Sequence, residues 1–308
     1  MTSDAGLGAL PHLPLDRRMA DLIAALATNE GVTATDVPGV SVMRSSRAQP
    51  RRPVVYTPSV VIVAQGRKVG YVGETVHVYD RDHYLVLSVL MPFECEIALA
   101  TPQEPFLGLK VAVDTVVLGE LMMALEAEGP GVSPVPAVCS SRLPPQLRDA
   151  ALRLLSCLSS RQESRVLGPQ FVREILYRVL QSDQGLALRA LSGVGGNFGQ
   201  IARALQRIHV EYASALDVES LAGTAGMSVS AFHQHFKTVT ASSPIQYIKS
   251  IRLHKARLLM AKAGHSAKSA SVAVGYASTS QFSREFKRFF GASPGEEASR
   301  VRHLQLEA

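Results

Sequence analysis

The sequence predicts an α+β chain. An N-terminal antiparallel β-barrel is followed by an all-α C-terminal domain with two helix-turn-helix motifs joined by a linker helix. Three observations carry this reading. Short β-branched and aromatic runs recur between Val40 and Val113, helical spacing replaces them in the second half, and one glycine-containing helical hairpin occurs twice, about 49 residues apart.

A chain of 308 residues accommodates a core in each of two domains. The expected division is 1–136 for the barrel, 137–196 for a helical connector and hinge, and 197–308 for the twin-hairpin domain. The net charge of +6 is unevenly spread, because 14 Lys/Arg stand against 7 Asp/Glu from residue 197 onward. The basic half is therefore the half with the repeated hairpins, the balance that a phosphate-binding surface requires.

Other partners and compartments fit less well. No helix combines a strongly basic face with a bulky apolar one, and no segment reaches the ~18 apolar residues needed to cross a bilayer, so no membrane partner is expected. The first twenty residues lack a long apolar run, which predicts a cytoplasmic, unexported protein. Cys95, Cys139 and Cys157 form no CxxC pair and no Cys/His cluster, which agrees with a reducing compartment and gives no zinc site.

In chain order, Met19, Leu22, Ile23 and Leu26 mark a leading helix over 15–29. Strands are predicted at Val40–Arg44, Val60–Ala64, Lys68–Val72, Thr75–Tyr79, Tyr84–Ser88, Glu94–Leu99 and Phe106–Val113. Turn residues such as Gln65-Gly66 and Gly73-Glu74 separate them. A barrel can also house a metal enzyme, but only His77 and His83 are available as clustered ligands, with no His-x-His pair. His77, between Val76 and Val78, reads as an outward or hydrogen-bonded histidine. Cys95 lies between two glutamates and reads as a packed thiol, and so does Cys157 in an amphipathic run. Cys139, in an expected loop near Arg142, is the best candidate for a reactive thiol.

Helices follow at Thr115–Glu128, Pro145–Leu158 and Pro169–Gln181, with a stiff Pro/Gly connector at Gly129–Pro136 and a flexible hinge over Leu186–Gly196. A further helix covers Gln200–Tyr212. The first hairpin, Leu221 to Lys237, turns at Gly226 and carries Phe232 and Phe236 four apart. The second, Ala267 to Pro294, turns at Gly275. In it Ser278 is placed to cap a helix, Gln281 to reach back to the cap, and Phe282, Phe286 and Phe289 to face a core. The opposite face offers Thr279, Ser280, Ser283, Arg284 and Lys287, a hydrogen-bonding and basic set suited to base edges and phosphates. Between the hairpins, Pro244 to Ala261 reads as one helix of about 27 Å, so two polar helices are separated by about one turn of a DNA duplex.

The stretches SPIQYIKSIRLHKARLLM and AVGYASTSQFSREFKRFFGASP closely resemble the C-terminal DNA-binding domain of the AraC/XylS family of bacterial transcription regulators. The likeness covers roughly residues 197–302. The stretch TPSVVIVAQGRKVGYVGETVHVYDRDHYLVLSVLMPFECEI resembles the cupin-like N-terminal domain of one subgroup of that family. The resemblance implies a sequence-specific DNA-binding regulator of transcription, with Ser230, His233, Gln234, Thr279, Ser280, Ser283 and Arg284 presented to bases.

Among these, Arg284 suits guanine O6 and N7, and Gln234 suits adenine N6 and N7. Lys237, Lys249, Arg252, Lys287 and Arg288 are expected at phosphates. Beside double-stranded DNA, the resemblance implies RNA polymerase, a small-molecule effector and a second copy of the chain as partners, and no cofactor. Two departures stand out: Ala241 replaces the glycine that usually ends the first reading helix, and Gly-Glu-Glu297 replaces the tyrosine usual after Ser-Pro. The rival readings are a cupin-type metal enzyme fused to a DNA-targeting domain, and an architectural DNA binder with no specific site.

Overall fold

A computed structural model describes residues 15–125, 136–191 and 196–306. Helix α1 (Leu15–Leu26) leads into nine strands: β1 (Gly31–Ala34), β2 (Val40–Ser45), β3 (Gln49–Tyr56), β4 (Ser59–Gln65), β5 (Arg67–Val72), β6 (Thr75–Asp80), β7 (His83–Leu87), β8 (Met91–Leu99) and β9 (Phe106–Ala112). After α2 (Thr115–Ala124) the chain returns as β10 (Val138–Arg142), followed by α3 (Pro145–Cys157), α4 (Arg161–Val166), α5 (Gly168–Leu180) and α6 (Gly185–Leu191). The C-terminal part comprises α7 (Gly196–Glu211), α8 (Val218–Ala225), α9 (Val229–Thr240), α10 (Pro244–Lys262), α11 (Ala267–Ala273), α12 (Thr279–Phe290) and α13 (Pro294–Leu306).

The strands form two antiparallel sheets, ordered β1-β2-β9-β4-β7-β10 and β3-β8-β5-β6, packed face to face as a barrel. Strand β4 shows why its sequence is an unbroken apolar run. Val61 and Val63 face the barrel interior with Phe93 and Ile97, while Val60 and Ile62 face outward into a second core. A strand buried on both faces has no polar side to alternate with. That outer core is roofed by Met19 and Ile23 of α1, Leu118 of α2, Leu154 and Leu155 of α3, and Ile175 and Leu176 of α5.

Several expectations shift. The predicted loop around Cys139 is strand β10, paired with β7 through Cys139 and Val86. Leu186–Leu191, expected as part of a flexible hinge, is helical in α6, because Ala187 and Leu188 find places in the outer core. The remainder of the hinge, 192–195, and the connector at 129–135 lie outside the described residues.

His77 is buried, whereas Val76 and Val78 are exposed, so of the two expected alternatives, an outward or a hydrogen-bonded histidine, the outward one does not hold. Strand β6 is an edge strand, and its inward side meets the seam with β10 and α9, lined by Val72, Val138 and Val239 as well as His77. Burial lowers the His77 pKa below its ordinary value and favours a neutral imidazole there.

Candidate nucleic-acid interface

Each half of the C-terminal part is built by the same local rules. In the first motif, Asp217 caps α8 by accepting from the Ser220 N–H at 2.7 Å. Gly226 then reverses the chain at φ 66°, and Ser228 caps α9 by accepting from the Ala231 N–H. In the second, Ser266 caps α11, Gly275 turns at φ 82°, and Ser278 caps α12 through the Gln281 N–H. Glycine is required at 275, since a Cβ would lie 2.2 Å from the Ala213 carbonyl oxygen.

One face of each second helix is buried. Phe232 and Phe236 close the first motif, and Phe282, Phe286 and Phe290 the second. Phe289, expected on that stripe, is only half-buried, because the 282/286/290 spacing keeps the tighter helical register. Helix α10 joins the motifs with 19 residues, about 28 Å at 1.5 Å per residue.

The opposite faces hold the expected reading residues. Ser230, His233 and Gln234 are exposed on the first two turns of α9, and Ser280 and Arg284 on the first two turns of α12. Ser283 is half-buried. Thr279 is half-buried too, with its hydroxyl 3.2 Å from the Ser271 hydroxyl of α11.

The basic residues divide. Lys237, Lys287 and Arg288 are exposed. Lys249 is held by Glu285 at 3.0 Å, and Arg252 donates to the Tyr212 and Ser214 carbonyls at 2.7 and 2.8 Å. These two side chains of α10 already bind the second motif and the α7–α8 loop.

Glu285 is a residue that the sequence reading overlooked. Its carboxylate accepts from Lys249, from Tyr276 Oη at 2.8 Å and from Gln281 Nε2 at 3.1 Å. Burial opposes its ionised form, but the hydrogen bonds from Gln281, Lys249 and Tyr276 outweigh it and hold the carboxyl below the ordinary range. Gln281 therefore does not reach back to the cap as expected; it is drawn one turn forward to Glu285. An acid one helical turn beyond Gln281, within an otherwise basic face, is the signal that pointed to it.

Where the family tyrosine is absent, Glu297 is buried between Arg257, at 3.3 Å, and Arg300, at 2.5 Å. The three cysteines are free thiols among the described residues, with Cys95 and Cys157 buried. Cys139 is partly covered, and burial pushes its thiol up to about 11, which removes the low-pKa character a reactive thiol needs.

A two-sheet barrel joined to twin capped helix-turn-helices with outward polar faces defines a protein of the barrel-plus-DNA-binding-domain type. Residues 36–187 match the AraC-type transcriptional regulator N-terminus and residues 221–300 match a helix-turn-helix domain. The chain belongs to the AraC/XylS family of transcriptional regulators.

Among curated relatives, it is 39% identical over 90 residues to the RCS-specific HTH-type transcriptional activator RclR of Escherichia coli, covering 29% of this chain and 32% of that protein. It is 32% identical over 127 residues to the HTH-type transcriptional activator RhaS of Escherichia fergusonii, covering 40% and 44%. The chain thus matches less than half the length of either relative. An apo ToxT variant from Vibrio cholerae shares the fold at TM-score 0.57 and 12% identity, over 88% of this chain and 99% of that one. ToxT bound to an unsaturated fatty acid aligns at TM-score 0.55 and 11% identity.

Proposed function

We propose that the protein regulates transcription by reading two adjacent major grooves of one DNA site. The observation that carries this is the pair of capped helices, α9 and α12, each buried on its aromatic face and exposing its early polar residues on the other. Ser230, His233 and Gln234 serve one groove; Thr279, Ser280, Ser283 and Arg284 serve the next. Lys237, Lys287 and Arg288 position the duplex through phosphates, while Lys249 and Arg252 first hold the two motifs together and only secondarily face the backbone.

The barrel and connector act as the responsive unit. Because β10 returns to the barrel sheet, the parts 1–136 and 137–196 work together on the reading domain at 197–308. A small-molecule effector or a second copy of the chain biases that unit, in line with the fatty-acid-bound ToxT of similar fold. RNA polymerase is the downstream partner, and the activator names of RclR and RhaS favour activation as the output. The site of action is the cytoplasm; no helix among the described residues is long and apolar enough to cross a membrane. A cupin-type enzyme is not favoured, since both matched domains are those of transcriptional regulators.

The test is selection of bound fragments from random duplex DNA with wild type and Arg284→Ala in parallel. The expected result is a motif of two boxes spaced by about 10 base pairs, one of them degraded by the substitution. Recovery of no motif, with and without candidate effectors, rejects the reading.

A further inference from the structure

Between the two sheets the barrel holds a cavity of about 170 Å³ that opens to the surface beside exposed Val32 and whose wall includes Met43, Val54, Tyr56, Ile97 and Phe106. Its charges are out of balance. Arg44, Arg52 and Lys68 line it against a single acid, Glu96, which already accepts from Tyr71 Oη at 2.8 Å. Arg44 has Glu30 at 3.8 Å. Among the described residues no carboxylate lies within 4.0 Å of Lys68 or Arg52.

Lys68 is 8% exposed and lies over the rings of Tyr56 and Phe106, with Tyr56 Oη as its hydrogen-bond partner. Burying an ammonium without a counter-ion is among the costliest things a fold can do, and a cation retained in that state wants an anion. The apolar wall sets the remainder of the ligand. An apolar cavity of ~150 Å³ holds a molecule the size of benzene, so the available volume fits one ring or a short chain, not a long acyl tail.

We infer that this cavity binds a small organic carboxylate, its charge held by Lys68 and Arg52 and its hydrocarbon part by Met43, Ile97 and Phe106. The inference rests on reading the barrel as the responsive unit, and it supplies the ligand class for that unit.

The experiment uses the full chain without DNA, so that its outcome is independent of whether the helices read DNA. Benzoate and hexanoate are titrated calorimetrically beside their neutral isosteres benzamide and hexanamide. At least one acid is expected to bind saturably and to raise Tm, and its amide to bind at least tenfold more weakly. Arg52→Gln, at a half-buried site, is expected to weaken the acid by about tenfold or more, the loss of one charge-assisted hydrogen bond. Lys68→Met is expected to abolish the binding, and circular dichroism establishes that each variant is folded.

Equal binding of acid and amide overturns the inference, as does unchanged affinity in Arg52→Gln. So does the absence of saturable binding of either acid up to about 10 mM, a limit near −3 kcal/mol.

Discussion

Ala241 and Gly73 face each other across the seam between the reading domain and the barrel, both in left-handed backbone, at φ 52° and 59°. A Cβ built on Gly73 would come 3.0 Å from Ala241 Cβ. Ala241 is the only non-glycine among the described residues with positive φ, and it ends α9, the first reading helix. Two residues earlier in the chain, the Val239 carbonyl accepts from the Ala137 N–H at 3.1 Å, so the end of that helix is pinned to the residue that leads into edge strand β10.

Left-handed alanine costs about 1–2 kcal/mol, part of which a glycine would return as chain entropy in the unfolded state. Ala241→Gly is therefore expected to change stability by no more than about 1 kcal/mol, in the stabilising direction. Gly73→Ala is expected to lower Tm and to loosen the seam, because both its φ and the 3.0 Å contact are unfavourable. Thermal unfolding of the two variants checks the pair. A Gly73→Ala protein as stable as wild type would show that the seam is not tight.

The same seam contains a hydrogen-bond relay. Tyr247 Oη of α10 donates to the Leu90 carbonyl of the barrel, and His209 Nε2 lies 2.7 Å from that hydroxyl. With the hydroxyl proton committed to Leu90, His209 is the donor through Nε2–H, in its neutral form. Burial, with a smaller contribution from Lys255, lowers its pKa from 6.5 to about 4. The unfolded chain therefore takes up this proton first as pH falls. The stability contributed by neutral His209 is complete above about pH 6.5, declines towards pH 4, and declines no further below it. Buried His254 shifts in the same direction, for burial and its neighbour Arg257.

Tm is expected to fall between pH 7 and pH 5, above the range in which the lowered carboxyls of Asp80, Glu174 and Glu285 titrate. His209→Gln, which retains a donor to Tyr247, is expected to flatten that slope. An unaltered slope removes His209 from the account.

The parts of this fold that were legible in the sequence are those where one physical requirement dominates. Strand β4 is apolar throughout because it is buried twice, and the glycines at 226 and 275 mark turns that only positive φ can make. The missed strands β1, β3 and β10 include the ends of both sheets, where pattern is weakest. Strand β3 carries Pro50, Arg51, Arg52 and Pro53, a composition that reads as a break and is tolerated because an edge strand needs only one ladder of hydrogen bonds. The division of α9 and α12 into a buried aromatic face and an exposed polar face was legible from helical spacing. The commitments of Lys249, Arg252 and Gln281 were not, because they depend on Glu285 and the Tyr212 and Ser214 carbonyls, partners brought close only by folding.

His254 is buried on α10 against the edges and faces of Phe289 and Phe290, with centroids at 5.3 and 5.2 Å, and neither ring nitrogen has a hydrogen-bond partner. An unpartnered buried polar group costs about 1–3 kcal/mol, whereas leucine fills a similar volume without that cost. His254→Leu is expected to raise Tm by a few degrees, offset in part by lost ring–ring contact. A fall in Tm would mean that the imidazole makes an interaction stronger than its aromatic packing.

Glu285 joins α12 to both α10 and the turn before it, so its effect should be local. Glu285→Gln keeps the shape but removes the charge that holds Lys249, at an expected cost of about 1–2 kcal/mol. Amide exchange is expected to accelerate in α12 while α9, whose core contains no Glu285 contact, keeps its protection. Acceleration in both helices alike would show that the two motifs unfold as one unit.

The exposed basic residues separate two kinds of contact on one helix. Arg284 lies on the early turns of α12 with a bidentate fork available to a base edge, whereas Lys287 and Arg288 lie in its last turn. If the helix enters the groove by its N-terminal end, Arg284→Ala is expected to cost about 1–3 kcal/mol at one base position and little elsewhere. Gln234→Ala is expected to do the same in the other box. Lys287→Ala is expected to weaken binding to every sequence and to reduce the dependence of log K on log salt by about one unit. Titrations of one selected duplex and its single-position variants at several salt concentrations distinguish these outcomes. A salt slope that falls equally for Arg284→Ala and Lys287→Ala would place both on phosphates and leave the specificity to Ser280, Ser283 and Thr279.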